Sequence, residues 1–320
     1  MSAAYLVRGA LIALAWLAVV NAAATMAVVI AAPRVSRGRG AERSAAVWLS
    51  LRLLPSAASL LFVAVLFIPS YFRYEPRELG EGVDVTLASL ALVSAVVVGT
   101  AVARGIASWR RASRRTRAWI ASARPTALAG APIDAYEIPI AAPFMALTGV
   151  VRPRLVLTRG VVDALTPEEL RASVAHEVGH WRARDNLKRL AMRAAPDFLF
   201  ATRAASAIES RWAAAAEHAA DRRAGADAHT RCALASALVK VAKLTPPPTP
   251  LSDPISTLVD GGEVASRVRR LLDDAERPRS QPRWRVPLAA LAIATPLAAA
   301  YAPLLRIVHE ATELLVNALP

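Results

Sequence analysis

Cysteine is nearly absent from this chain: its 320 residues contain one, Cys232. An intrachain disulfide is therefore excluded, and the composition suits a reducing compartment. Cys232 reads as a small buried side chain, because no partner that would activate a thiol accompanies it in the sequence. Charge is scarce as well. Only 20% of residues are charged against 55% hydrophobic, too apolar for an ordinary soluble domain of this length. Acidic residues are outnumbered 25 to 39, which leaves a net charge of +14. A surplus of that size can signal nucleic acid, but the interleaving of aromatic and basic residues that stacks bases is missing. Direct nucleic-acid binding is not expected. Internal repeats and low-complexity tails are missing too.

What the chain does have is long apolar runs, at about residues 9–33, 46–70, 85–103 and 286–306. Each is long enough to cross a bilayer. Pro55 interrupts the second, which membrane helices tolerate. A cleaved signal peptide competes for the first run, but its upstream charge is only Arg8 and the basic cluster follows it. Arg34, Arg37, Arg39 and Arg43 lie in the first loop, and Arg104, Arg110, Arg111, Arg114, Arg115 and Arg117 follow the third run. The positive-inside rule places these segments in the cytoplasm, and with them everything to about residue 285. The N-terminus, residues 71–84 and the C-terminal tail then face outward. Tyr71, Phe72 and Tyr74 suit an outer interface, Trp109 and Trp284 an inner one. Residues 104–117 read as a basic helix lying along the inner leaflet. The expected location is a bacterial inner membrane. The span centres lack ionisable residues, apart from Arg52 near the end of the second, which argues against a transporter.

This divides the chain into three parts: residues 1–117 with three membrane helices and a basic juxtamembrane segment, residues 118–280 as a cytoplasmic domain, and residues 281–320 with a fourth span and short tail. The expected fold class is a multi-pass α-helical membrane protein with a cytoplasmic α+β domain. Within that domain, residues 133–158 predict two or three short strands, Arg154–Thr158 the clearest. Thr166, Pro167 and Glu169 form a capping-box signature for a helix running to about Ala195, stopped by Pro196. Further helices are expected over about 203–225, 229–243 and 262–274. The last, containing SRVRRLL, reads as an amphipathic surface helix. The run TPPPTP at 245–250 reads as a stiff connector.

Histidine is as informative as it is rare. Two of the five fall in HEVGH at 176–180, in the middle of the capped helix. Four apart, His176 and His180 share one helix face and can bind one Zn2+. Glu177 between them is the expected general base on the attacking water. A hydrolytic zinc site needs a third protein ligand and an open position. Glu209, Glu217, His218 and His229 are candidates. Glu217 is preferred, because its helix can fold back on the first while Asp221, one turn on, hydrogen-bonds a ligating histidine. His218 sits about 100° round the helix from Glu217.

HEVGHWRARDNL, preceded by RPRLVLTRGVVDALTPEELR and followed by EHAAD, resembles the BlaR/MecR family of membrane zinc peptidases. The order of spans is also similar. HtpX/Ste24-type membrane peptidases, which share HExxH and the later ExxxD, are the close alternative. The resemblance implies a gluzincin-like zinc metallopeptidase domain in the cytoplasm. It makes His176, His180 and Glu217 zinc ligands, Glu177 the base and Asp221 the partner of a ligand. Asp185 matches an aspartate that follows the second histidine, although a surface ion pair with Arg182, Lys188 or Arg189 explains it equally simply. The expected substrate is a polypeptide, extended along an edge strand near 143–158. The family suggests a winged-helix transcriptional repressor. The antibiotic-sensing members carry a penicillin-binding domain after the fourth span. Here only about fourteen residues follow it, without the serine–lysine motif for acylation, so direct antibiotic sensing is not expected. A quality-control protease of membrane proteins, or a signalling scaffold with a structural or vacant metal site, are the rival readings.

Overall fold

The computed structural model describes residues 3–37, 45–76, 85–225, 227–244, 256–257, 264–273 and 300–317. It is mostly helical, with one small sheet. Among the described residues, three stretches are long and apolar enough to cross a membrane: Ala3–Val35, Ala45–Tyr74 and Val85–Ala121. The first is helix α1 (Ala3–Arg37). The second begins as α2 (Ala45–Leu61), passes through a π-helical stretch at Phe62–Phe67 and ends as α3 (Ile68–Tyr74). Pro69 accounts for part of this irregularity. It has no N–H for the carbonyl of Val65, four residues earlier, and the Tyr301 hydroxyl donates to that oxygen instead, at 2.8 Å.

The third stretch is α4 (Val85–Ala121), a single unbroken helix. The expected break before the basic segment is not there. Residues 104–117 continue the span rather than turning along a membrane surface, because nothing in VARGIASWRRASRRTR terminates a helix except Gly105. That glycine serves packing: a Cβ on it would lie 2.8 Å from Cβ of Ala194. Beyond Gly105 the helix leans on the sheet-bearing part of the fold. Thr116 and Thr148 share a short buried hydrogen bond, and Trp119 packs on Phe144 with ring centroids 5.1 Å apart. Tyr71, expected at an outer interface, is buried and donates its hydroxyl to the Tyr5 carbonyl, whereas Phe72 is exposed.

The sheet has order β1-β2-β4-β3-β5, from Arg124–Thr126, Ala135–Ile138, Met145–Thr148, Arg154–Thr158 and Ser256–Thr257. β2 and β4 run parallel and the other pairs antiparallel. The sequence predicts an edge strand near 143–158. Instead β5 pairs with β3 at Ala146 and Leu147, so β3 is flanked on both sides. The chain then continues through α5 (Arg159–Ala164), α6 (Pro167–Ala183), α7 (Asp185–Arg193), a 3-10 turn (Phe198–Ala201), α8 (Arg203–Ala224), α9 (Ala228–Leu244), α10 (Val264–Leu272) and α11 (Tyr301–Asn317). Leu155, Leu157, Val174, Val178, Leu234 and Leu238 form the core between sheet and helices.

The proline-rich run at 245–250, Trp284 and most of the fourth apolar run lie outside the described residues. Residues 307–317, expected as a tail, extend helix α11, which packs against α1 and α3. Cys232 is exposed, not buried, since Leu234, Ala235 and Leu238 take the inner face of α9.

Candidate metal centre

Helix α6 starts as its sequence requires. The Thr166 hydroxyl accepts from the N–H of Glu169, and a Glu169 carboxylate oxygen accepts from the N–H of Thr166. The same side chain also binds Ser236 and Lys240 on α9, at 2.6 and 2.7 Å. One cap thus fixes both the helix register and its seat on α9. The helix does not run on to Ala195. It ends at Ala183 because Arg184 adopts a left-handed conformation, φ 55° and ψ 41°. That conformation is costly for a residue other than glycine. The bend brings Asp185 back beneath the helix it follows. Asp185 Oδ2 accepts from Nδ1 of His180 at 2.8 Å, while Lys188 holds the other oxygen at 2.9 Å. Asp185 is buried. The ion pair with Lys188 exists, but as a buried support, not a surface contact.

Gly179 permits the next approach. A Cβ there would come within 3.3 Å of Cα of Ala220 on α8, so α6 and α8 meet closely between Glu217 and Asp221. As a result, Oδ1 of Asp221 lies 2.9 Å from Nδ1 of His176. Both histidines have a carboxylate at Nδ1. Each is therefore set to carry its proton on that nitrogen and to present the Nε2 lone pair inward.

The two Nε2 atoms face each other at 3.2 Å, and each lies 3.4 Å from an oxygen of Glu217. Two lone pairs and a carboxylate so close repel one another unless a cation lies among them. The spacing fits one. With bonds of about 2.0–2.1 Å, ligands at tetrahedral angles are roughly 3.3–3.4 Å apart. All three residues are buried and their donor atoms converge. Glu177 is fully buried, and neither of its oxygens has a hydrogen-bond partner among the described residues. Burial pushes its carboxyl up to about 7, against the pull of the neighbouring histidine charges.

Charge around this cluster is arranged in layers. Burial works against ionisation of Asp221, but hydrogen bonds from His176 and the Arg267 guanidinium hold it down to about 2. Burial likewise opposes the charge on Glu217, yet the charges of His180 and Arg267 keep it well below the usual carboxylate range. Arg267 donates to both oxygens of Asp221, at 2.9 and 2.6 Å, and lies 3.1 Å from Glu217. It was missed from sequence. The helix read as an amphipathic surface element turns Arg267 and Leu271 inward. The available signal was indirect: two inward carboxylates on α8 need a cation, and SRVRRLL offers several arginines without saying which one turns in.

The other candidates fall elsewhere. Glu209 pairs with Arg52 at 2.8 Å. His229 is exposed and 3.4 Å from Glu168. His218 is half-buried on α8, outside the converging set.

Residues 143–246 match the model of peptidase family M48. The M48 match begins beside β3 and covers HEVGH, the bend at Arg184, and the helix with Glu217 and Asp221. It takes in roughly a third of the chain and includes neither the spans nor Arg267. It is a match to a metallopeptidase family, and the finer BlaR/MecR resemblance does not rest on it. No curated protein matches the chain.

Proposed function

We propose that this protein is a membrane-embedded zinc endopeptidase whose ligands are His176, His180 and Glu217 and whose base is Glu177. The observation carrying this reading is the triangle of donor atoms, 3.2–3.4 Å on each side, closed by two histidines whose far nitrogens are both held by carboxylates. When bound there, zinc supplies Lewis-acid polarisation of a scissile carbonyl and of water. Glu177 takes a proton from the attacking water and passes it to the leaving amine. Its raised pKa and free oxygens suit that shuttle. Asp185 and Asp221 fix the imidazole tautomers, and Arg267 keeps Glu217 and Asp221 ionised. Residues 118–280 form the peptidase domain, on the cytoplasmic side of a cell membrane by the arginine bias of the loops.

The substrate is a polypeptide, and the resemblance to BlaR/MecR-type peptidases makes a transcriptional repressor the favoured one. One feature of the fold supports signalling over quality control. Each of the three spans grips the segment between α7 and α8. Asn21 binds the Pro196 carbonyl and the Phe198 N–H, at 2.9 and 3.0 Å. Arg52 and Ser56 bind Asp197, at 2.9 and 2.7 Å. Arg104 donates to the Ala195 carbonyl at 3.1 Å. That segment joins the helix begun by Asp185 to the helix carrying Glu217, so a shift of the spans reaches both sides of the site. The test compares the proteins of cells making the unaltered chain with those making Glu177→Gln. A product present only with the unaltered chain identifies the substrate. An identical pattern in the two would overturn the enzymatic reading.

A further inference from the structure

We propose a second divalent-metal site, formed by Glu75, His309 and Glu313 at the far end of the second span from the histidine pair. One donor atom from each residue lies within 4.8 Å of the other two. His309 and Glu313 are four apart on α11 and share a face. Glu75 follows the last turn of α3, where its N–H donates to the Tyr71 carbonyl at 3.0 Å.

Three fasteners hold α11 against the spans. Tyr301 fills the acceptor left open by Pro69, Ser70 donates to the Leu305 carbonyl at 2.7 Å, and Trp16 donates to the Thr312 hydroxyl at 3.0 Å. The Tyr74 ring stacks on His309, with centroids 5.5 Å apart. The three donors are thus presented by elements already docked on one another, so little ordering would be left to binding.

The cluster sets two carboxylates beside the Arg8 guanidinium. The Glu75 carboxylate is 4% exposed and has Arg8 at 3.6 Å from Oε1. Its other oxygen faces Nδ1 of His309 at 3.9 Å. The Glu313 carboxylate converges on the same point, and two carboxylates sharing a site repel. A divalent ion among the three donors would relieve this. A metal with bonds of about 2.0–2.2 Å spans donors up to roughly 4 Å apart. One imidazole and two carboxylates suit a borderline divalent ion such as zinc. The histidine pair shows the same plan, an i,i+4 pair on one helix and a carboxylate from another, and the present inference does not depend on what that pair does.

The test is a zinc titration of the chelator-stripped, full-length protein in detergent, followed by calorimetry. Unaltered protein is expected to take two equivalents. Glu313→Gln, which keeps the shape of the side chain, and His309→Ala should each lose one, and His176→Ala/His180→Ala should lose the other. A single equivalent in the unaltered protein that vanishes with His176→Ala/His180→Ala would overturn the proposal. So would a second equivalent that survives both Glu313→Gln and His309→Ala.

Discussion

His176, His180 and Glu217 at one end of the second span, and His309, Glu313 and Glu75 at the other, bring similar donors together by similar means. Their surroundings differ. Behind the first pair stand Asp221 and Asp185, each within 2.9 Å of an Nδ1, and beside it stands Glu177 with both oxygens uncommitted. At the second cluster a tyrosine ring steadies the histidine and an arginine lies against the carboxylate. The contrast separates holding an ion from using one. Helix periodicity is enough to gather donors. Chemistry further requires a base of suitable pKa and buried acceptors that fix the imidazoles.

The largest expected effect tests that distinction directly. Glu177→Gln should lower peptide hydrolysis by about 10²–10⁴-fold while zinc content stays the same, read by turnover and metal analysis. Equal losses of metal and activity would place Glu177 among the ligands instead. Next comes the joint between the spans and the segment that leads into α8. Arg52→Ala leaves the buried Asp197 without its guanidinium and should cost about 3–5 kcal/mol, seen as a lower thermal midpoint. Arg52→Met with Asp197→Leu should recover much of the loss, since apolar replacements remove the uncompensated charge.

The orienting carboxylates rank third. Asp221→Asn and Asp185→Asn should each weaken zinc binding at the histidine pair by about 10–100-fold. Zinc bound by Glu75, His309 and Glu313 should be unaffected by either. pH gives a fourth comparison. A raised Glu177 pKa means the base is protonated, and inactive, below it. Activity should therefore fall as pH drops through an acid limb no higher than about 7 and be level above it. A dication at the histidines draws the limb of the zinc-replete enzyme below that value. The smallest effect is local: Thr166→Ala removes one cap and should cost about 1 kcal/mol, measured by denaturant titration.

Much of the site was legible because its signals are local. The capping box at Thr166 and Glu169 set the phase of the helix, and four-residue spacing put His176 and His180 on one face. Spacing also chose Glu217 and Asp221 over His218, which the helix turns aside. What spacing could not show was the bend at Arg184. A left-handed arginine has no sequence signature, and the contact it makes possible, Asp185 to His180, seemed equally well explained as a surface pair. The pairing of β3 with β5 and the inward turn of Arg267 were hidden for another reason. Ala146 and Thr257 are more than a hundred positions apart and Arg267 and Asp221 are 46 apart, beyond the reach of any local pattern.

By itself, then, the sequence determined which stretches are apolar enough to span, where the α6 helix begins, and which residues along α6 and α8 share a face. Each follows from chain periodicity and local hydrogen bonding, which act over one or two helical turns. Tertiary structure alone decided that the basic segment after the third span packs on Ala194 and Thr148, that Arg267 closes the charge balance around Glu217 and Asp221, and that α11 packs on the spans with His309 beside Glu75. Those outcomes are set by burial and charge pairing between segments far apart in the chain, where local propensity is silent.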